Sequence, residues 1–316
     1  MRIAVASGKG GTGKTTVAVS LALSLQEREA ERHGAGAPLL FVDCDVEAPD
    51  AHLFLHPELQ ERVSATVPVP RVDAGRCTLC GDCVEVCRFN AMALLGDEVR
   101  LFPELCHGCG SCRLICSPGA IEEEVREIGT LESGWAHGIR FAQGTVNVGE
   151  PLAVPVIRQL KEWVSPGPGH LTILDSPPGT SCPMVETVTE SDFVLLVTEP
   201  TPAGLHDLEL AEEVLREMKI PAGVIVNRDG TGYEKLEESC AARGLPVLLR
   251  IPFDRGIAEG LARGETLVGI RPEYRVRLWE MVEDIREVVE SADLSRSESH
   301  LDMRKELDLI QQGREA

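Results

Sequence analysis

The sequence predicts an α/β protein, a mostly parallel sheet flanked by helices, interrupted by a smaller α+β insert. Three observations carry the prediction. Short apolar runs of the kind that fill buried parallel strands recur at 3–6, 38–42, 171–174, 193–197, 223–226 and 247–251, with helical stretches between several of them. Gly8-Lys9-Gly10-Gly11-Thr12-Gly13-Lys14-Thr15 follows the first run directly and fits G-x-x-x-x-G-K-S/T, a phosphate-binding loop. From about Val69 to Ile128 the alternation stops and cysteines occur at tight spacing.

Bulk properties narrow the choices. A chain of 316 residues is expected to hold about two domains, and 43% apolar with 26% charged residues suits a globular protein. No apolar run reaches about 18 residues, so no membrane span is expected. The N-terminus enters a strand without a secretory pattern, which predicts a cytoplasmic protein. The formal net charge of −20 repels phosphate backbones and anionic bilayers, so neither nucleic acid nor membrane is expected as a partner. Clustered cysteines in such a chain, 11 in all, point to metal before disulfides.

Taken in order, the loop comes first. Its glycines, Gly10, Gly11 and Gly13, together with Thr12, let backbone N–H groups converge on an anion, and a helix over 16–25 adds its positive end. Lys14 would reach the β- and γ-phosphates, and Thr15, followed by Thr16, would hold Mg²⁺. The next strand ends in Asp43-Cys44-Asp45, where open α/β sheets bind ligands. Ala48-Pro49 and Asp50 extend that segment. Beyond the cysteine block, 129–148 predicts a hairpin and 151–164 a helix, followed by a Pro-Gly linker at 166–169. The strand at 171–174 ends in Asp175, a second Mg²⁺ candidate, before Ser176-Pro177-Pro178-Gly179-Thr180. Helices are expected over 204–218 and 274–289, the latter with Leu278, Met281, Val282 and Ile285 on one buried face. The polar segment 291–316 reads as a charged tail.

The cysteine block is an internal repeat of about 29 residues: Cys77, Cys80, Cys83 and Cys87, then Cys106, Cys109, Cys112 and Cys116. Zinc is the competing reading of paired C-x-x-C units. The x2, x2, x3 spacing, used twice, resembles the bacterial two-cluster ferredoxin. By that pattern Cys77, Cys80, Cys83 and Cys116 hold one [4Fe–4S] cluster, and Cys106, Cys109, Cys112 and Cys87 hold the other. The ferredoxin pattern places proline after the fourth cysteine, whereas Arg88 follows Cys87 and Ser117-Pro118 follows Cys116. His107 is expected beside a cluster without ligating it. Of the three remaining cysteines, Cys44, Cys182 and Cys240 are all expected to pack in the core, Cys182 with a redox role as its alternative.

Lys9, with Gly10 to Thr16, resembles the deviant Walker A loop of the MinD/ParA/Mrp class of P-loop ATPases. With Asp43 to Asp50, the eight cysteines, Asp175 to Gly179 and Asn227, the chain resembles MinD-superfamily ATPases with an inserted two-[4Fe–4S] ferredoxin domain. The resemblance implies an ATPase domain over 1–68 and 129–290, a ferredoxin domain over 69–128, and a tail over 291–316 unlike the basic membrane helix of MinD. It implies that Lys9 reaches the partner's nucleotide in an ATP-bound homodimer, or in a heterodimer with a paralogous ATPase. Asp45 then orients water and joins Thr15 and Asp175 at Mg²⁺, Gly179 senses the γ-phosphate, and Asn227 with the loop from Pro252 recognises adenine. The implied function is ATP hydrolysis coupled to electron transfer with a redox or metal-cofactor protein partner. An iron–sulfur or metal-cofactor assembly ATPase and a redox-sensing scaffold are the alternatives.

Overall fold

The computed structural model describes residues 1–33, 39–165, 170–230 and 232–291; the 166–169 linker and the tail from 292 lie outside the described residues. In chain order the elements are β1 (Arg2–Ala6), α1 (Lys14–His33), β2 (Leu40–Asp43), α2 (His52–Leu55), β3 (Glu58–Val72), α3 (Asp82–Val86), β4 (Met92–Leu95), β5 (Glu98–Leu101), α4 (Ser111–Ile115), β6 (Ile121–Ala136) and β7 (Ile139–Val146). There follow α5 (Ala153–Trp163), β8 (Thr172–Asp175), α6 (Cys182–Val188), β9 (Phe193–Thr198), α7 (Pro202–Met218), β10 (Ala222–Asp229), α8 (Lys235–Arg243), β11 (Val247–Pro252), α9 (Arg255–Ala262) and α10 (Leu267–Ile270). The helix over 273–291 is α11.

Nine strands form one sheet in the order β11-β10-β9-β1-β8-β2-β7-β6-β3. It is parallel from β11 to β7 and antiparallel from β7 through β6 to β3. The parallel strands are buried on both faces, which is why they read as unbroken apolar runs. Alternate residues divide between two cores. Ile3, Val5, Phe41 and Ile173 pack with Leu21 of α1 and with Leu278 and Val282 of α11. Ala4, Ala6, Val42 and Leu174 pack with α5 and α7 through Val156, Ile157, Leu208 and Leu215. The predicted stripe of the last helix is therefore core.

The predicted hairpin is β6–β7, closed by His137 and Gly138 at φ 51° and 77°. Two left-handed residues give the turn whose twist suits paired strands. What the sequence did not announce is the length of the strands around the cysteines. β3 and β6 pair from Glu58↔Trp135 to Val72↔Ile121 and run straight through positions 69 and 128. Their root is the edge of the main sheet, and their far half is a two-stranded ribbon that carries the cysteine insert. Pro68 and Pro70 are tolerated because β3 is an edge strand.

At the ribbon tip the repeat is visible as geometry. Gly81 and Gly110, at φ 85° and 74°, start α3 and α4, and each helix ends at a cysteine, Cys87 or Cys116. β4 and β5 pair with each other as a separate two-stranded sheet. Cys83, Met92 and Ile121 form a small core of their own. Ala91 and Cys106, by contrast, join the core that contains Val67, Ile128 and Val156.

One expectation is corrected. Cys44 and Cys240 are buried, but Cys182 is exposed. It opens α6 at the carboxyl edge of the sheet, where a side chain meets solvent rather than the core.

Candidate functional site: a phosphate loop, a carboxylate group and a cysteine cavity

The carboxyl ends of the parallel strands converge on one edge, and the loop after the central β1 lies there. Gly11 and Gly13 take φ of 76° and 98°, the left-handed conformation that glycine adopts without strain. The Ser7 hydroxyl donates to the Lys9 carbonyl at 2.6 Å, and the Val17 N–H donates to the Gly13 carbonyl at 3.0 Å, starting α1. Gly8 has no room for a side chain: a Cβ there would stand 2.1 Å from the Asp207 carbonyl of α7. Thr12 and Lys14 are buried, and the Thr12 hydroxyl has no hydrogen-bond partner. Thr15 and Thr16 lie in the first turn of α1. The segment after β8 is tied to this loop, since Gly179 donates its N–H to the Ser7 carbonyl at 3.0 Å.

Beside the loop, β2 and β8 are adjacent with Asp43 and Asp175 in register. Oxygens of Asp43, Asp50 and Asp175 all lie within 4.8 Å of one another. Asp43 organises the 45–51 segment, accepting the N–H groups of Asp45, Asp50 and Ala51, each at 3.1 Å. Burial, then the Asp50 and Asp45 charges, push its carboxyl up to about 7 against those hydrogen bonds. Asp175 is fully buried and raised well above the usual carboxylate range, by burial first and by Asp43 second. Neither Asp175 oxygen has a partner at hydrogen-bonding geometry, although the Thr15 hydroxyl and Lys14 are close enough to favour its ionised form. Two orphaned buried carboxylate oxygens facing two more carboxylates suit a hard cation with oxygen ligands, such as Mg²⁺.

The sequence assigned this cation to Thr15, Asp45 and Asp175. Asp45 is not one of the three clustered carboxylates; it is half-buried, its pKa raised by burial and lowered by Lys14. Asp43 and Asp50 complete the group instead. The signal for Asp43 was its place at the end of a buried strand, but only the β2–β8 register sets it opposite Asp175.

Lys9 and Asn227 are engaged within the chain. Lys9 pairs with Glu199, just past β9, at 3.5 Å, and Arg228 pairs with the same carboxylate. Asn227 donates from Nδ2 to the Thr12 carbonyl at 2.7 Å and accepts the Arg228 N–H at 2.9 Å. Its amide therefore braces the phosphate loop. Pro252 is exposed at the end of β11, beside the exposed Phe253.

In the insert, Cys106, Cys109 and Cys112 line one apolar cavity that opens to solvent, and the fourth cysteine in its wall is Cys87 from the other repeat. Phe89 and His107 stand in the same wall, stacked with ring centroids 3.8 Å apart. The Ala91 and Ala120 N–H groups donate to the Cys87 and Cys116 sulfurs, both at 3.3 Å, one in each repeat. Burial, with Cys77 and Cys80 nearby, raises the Cys83 thiol. Burial, with Cys106 and Cys109 nearby, pushes Cys112 up to about 11, whereas Ser111 holds Cys109 below the usual thiol range. Cys116 packs against the small core of Cys83, Met92 and Ile121. Among the described residues, no three cysteine sulfurs lie within 4.8 Å of one another.

Among the described residues no helix is long and apolar enough to cross a membrane. Comparison with known proteins agrees with the loop and the sheet. An uncharacterised protein of Methanocaldococcus jannaschii is 29% identical over 289 residues, covering 92% of this chain and 98% of that protein. A cytosolic Fe-S cluster assembly factor Nubp1 homolog of Drosophila pseudoobscura is 27% identical over 200 residues, 50% of this chain and 63% of that one. The structure of the septum site-determining protein MinD from Pyrococcus horikoshii, complexed with Mg-ADP, superposes with a TM-score of 0.54 at 19% identity, covering 91% of this chain and 98% of that one. The model of the CobQ/CobB/MinD/ParA nucleotide-binding domain matches residues 3–268. With a glycine-rich loop after the central strand and paired strand-end carboxylates beside it, the chain belongs to the CobQ/CobB/MinD/ParA nucleotide-binding domain family.

Proposed function

We propose that this protein is an ATPase whose nucleotide-driven dimer switching is coupled to electron transfer through two [4Fe–4S] clusters in the cysteine insert. ATP and Mg²⁺ fit the family and the site. Lys14 and the loop N–H groups would bind the phosphates, and Asp175 with Asp43, Asp50 and the Thr15 hydroxyl would hold the cation. Asp45 would orient water, and Lys9, once released from Glu199, would reach the partner's nucleotide. Hydrolysis by the isolated chain is expected to be slow, because a group supplied in trans contributes about 10³–10⁵-fold in related phosphate-loop switches.

The observation that carries the redox half is the cavity shared by Cys87 with Cys106, Cys109 and Cys112. Those are the four cysteines that the ferredoxin spacing groups together. The x2, x2, x3 spacing, used twice, favours a cubane over tetrahedral zinc, whose thiolate ligands come as paired C-x-x-C units. Bound clusters would supply one-electron storage. The N–H groups of Ala91 and Ala120, donated to sulfur, would stabilise the reduced charge. A second reading, a cluster assembly or carrier ATPase, is favoured by the likeness to the Nubp1 homolog. Four protein ligands for each cluster argue for retention over donation.

Anaerobic purification followed by metal analysis and EPR, with and without ATP, tests the proposal. About eight iron atoms per chain, and an EPR spectrum that responds to nucleotide, are expected. Stoichiometric zinc without iron overturns the redox reading, and transfer of iron to apo-protein acceptors replaces it with the carrier reading.

A further inference from the structure

Helix α5 touches both halves of the molecule's chemistry. On one side it grips α6, the helix that follows the 176–181 segment and hence Gly179. Lys161 donates from Nζ to the carbonyls of Glu186, Thr187 and Thr189 at 2.7, 3.2 and 2.8 Å, capping the end of α6. Arg158 donates to both oxygens of Glu186, at 3.2 and 2.7 Å.

Gln159, between those two cations in sequence, engages the ribbon. Its Oε1 accepts the Thr66 N–H at 3.0 Å and its Nε2 donates to the Thr66 carbonyl at 2.9 Å. A carboxamide bound to both main-chain groups of one residue acts as a short piece of neighbouring strand. The clamp sits at the register shift between Ala65 and Thr66, where Ile128 of β6 is the unmatched residue and β6 stops pairing with β7, so that the sheet narrows to the ribbon. Such an irregularity bends the strand that carries the extra residue, here β6, against which β3 is paired.

A second tether leaves the start of the same helix. Glu150, nearly buried, accepts the Leu152 N–H at 3.2 Å and pairs with Arg126 of β6. Arg126 reaches the Cys106 carbonyl at 3.5 Å. The loop that bears Cys106 and Cys109 also rests directly on the ribbon, because a Cβ at Gly108 would stand 2.9 Å from the Pro68 carbonyl. The ribbon beyond Thr66 and the second cysteine loop are therefore tied together.

We propose that α5 transmits the state of the nucleotide loop to the cysteine insert, with the Gln159–Thr66 clamp and the Glu150–Arg126 tether as its output contacts. The inference rests on the reading of the chain as a nucleotide switch, but not on cluster occupancy. A displacement of the 176–181 segment carries α6. Lys161 and Arg158 carry α5 with it, and the motion arrives at the register shift between β3 and β6, beside the wall of the Cys106 cavity.

Hydrogen-exchange mass spectrometry on the full chain tests this, comparing nucleotide-free protein with protein holding Mg²⁺ and a non-hydrolysable ATP analogue. In the wild type the analogue is expected to change exchange at 8–16, and to change it about fivefold or more over 64–72 and 121–128, the low end of typical coupling. Gln159→Met keeps length and helix propensity but loses both clamp bonds. Glu150→Gln keeps shape but loses the charge. Each is expected to reduce the ribbon response below about twofold while the response at 8–16 persists. A wild-type ribbon that does not respond while 8–16 does, or a full response in both variants, overturns the inference. Should one variant fail to melt cooperatively, the other decides. Iron measured on the same samples separates the two readings: a ribbon response without iron removes electron transfer and leaves the coupling standing. No response at 8–16 overturns the nucleotide switch and this inference together.

Discussion

Lys14 and Asp175 are buried, the proposed site gives them a phosphate and a cation as partners, and the consequences of that burial can be measured. Lys14→Ala is expected to lower phosphate release at least about 100-fold, the usual loss when one anchored donor is removed from a transition state. Unchanged release by that variant would falsify the ATPase assignment. Burial raises the folded pKa of Asp43 from 3.8 to about 7 and moves Asp175 in the same direction. The folded state thus binds more protons than the unfolded chain between about pH 4 and 7, and cation-free stability falls as pH rises through that window. Mg²⁺ requires these carboxylates ionised. Thermal melts are expected to show a cation-free Tm that declines from pH 5 to pH 8, and a Mg²⁺ increment larger at pH 8 than at pH 5. The opposite order would show that the carboxylate group is not the cation site.

At the scale of elements, the loop is formed as much by what presses on it as by its own sequence. α7 crosses so close to Gly8 that its Asp207 carbonyl occupies the space of a Cβ. Gly8→Ala must push that helix away, at a cost of about 1–3 kcal/mol by analogy with overpacked cores. Weakened nucleotide binding is expected with it. A variant with wild-type Tm and affinity would mean that α7 gives way freely. The long ribbon is the element least legible in the sequence. The first seven residues of β3 are exposed and Glu122 to Glu124 of β6 face solvent, so neither strand shows the apolar run or clean alternation that identifies a strand. Pairing between two polar segments nearly 50 residues apart is a tertiary fact.

For the whole molecule, the proposed dimer and the proposed clusters make separable predictions. Lys9→Ala is expected to bind nucleotide as a monomer and to lose the mass shift that an ATP analogue induces in the wild type, as read by light scattering. Dimerisation retained by this variant counts against a role for Lys9 across the interface. Cys87→Ala is expected to remove or alter the EPR signature of one cluster and leave the other, with ATP binding kept. Loss of both signatures, or of neither, argues against the exchange of Cys87 into the second set.

The sequence by itself determined the parts whose chemistry is local. A phosphate loop needs its glycines, lysine and threonine in consecutive order, and a buried parallel strand must be apolar on both faces. A curled cysteine loop needs fixed spacing. Gly8 to Thr15, the parallel strands β1, β2, β8, β9, β10 and β11 and the eight cysteines were all legible for that reason. Tertiary structure alone decided what depends on register and on chains meeting from a distance. It set Asp43 opposite Asp175 with Asp50 beside them, turned the Asn227 amide onto the Thr12 carbonyl and paired Lys9 with Glu199. It also left Cys182 in solvent and clamped Gln159 to Thr66 of β3. For the paired groups the physical reason is the same: the partners come from segments far apart along the chain, and only closing the sheet brings their polar atoms within reach.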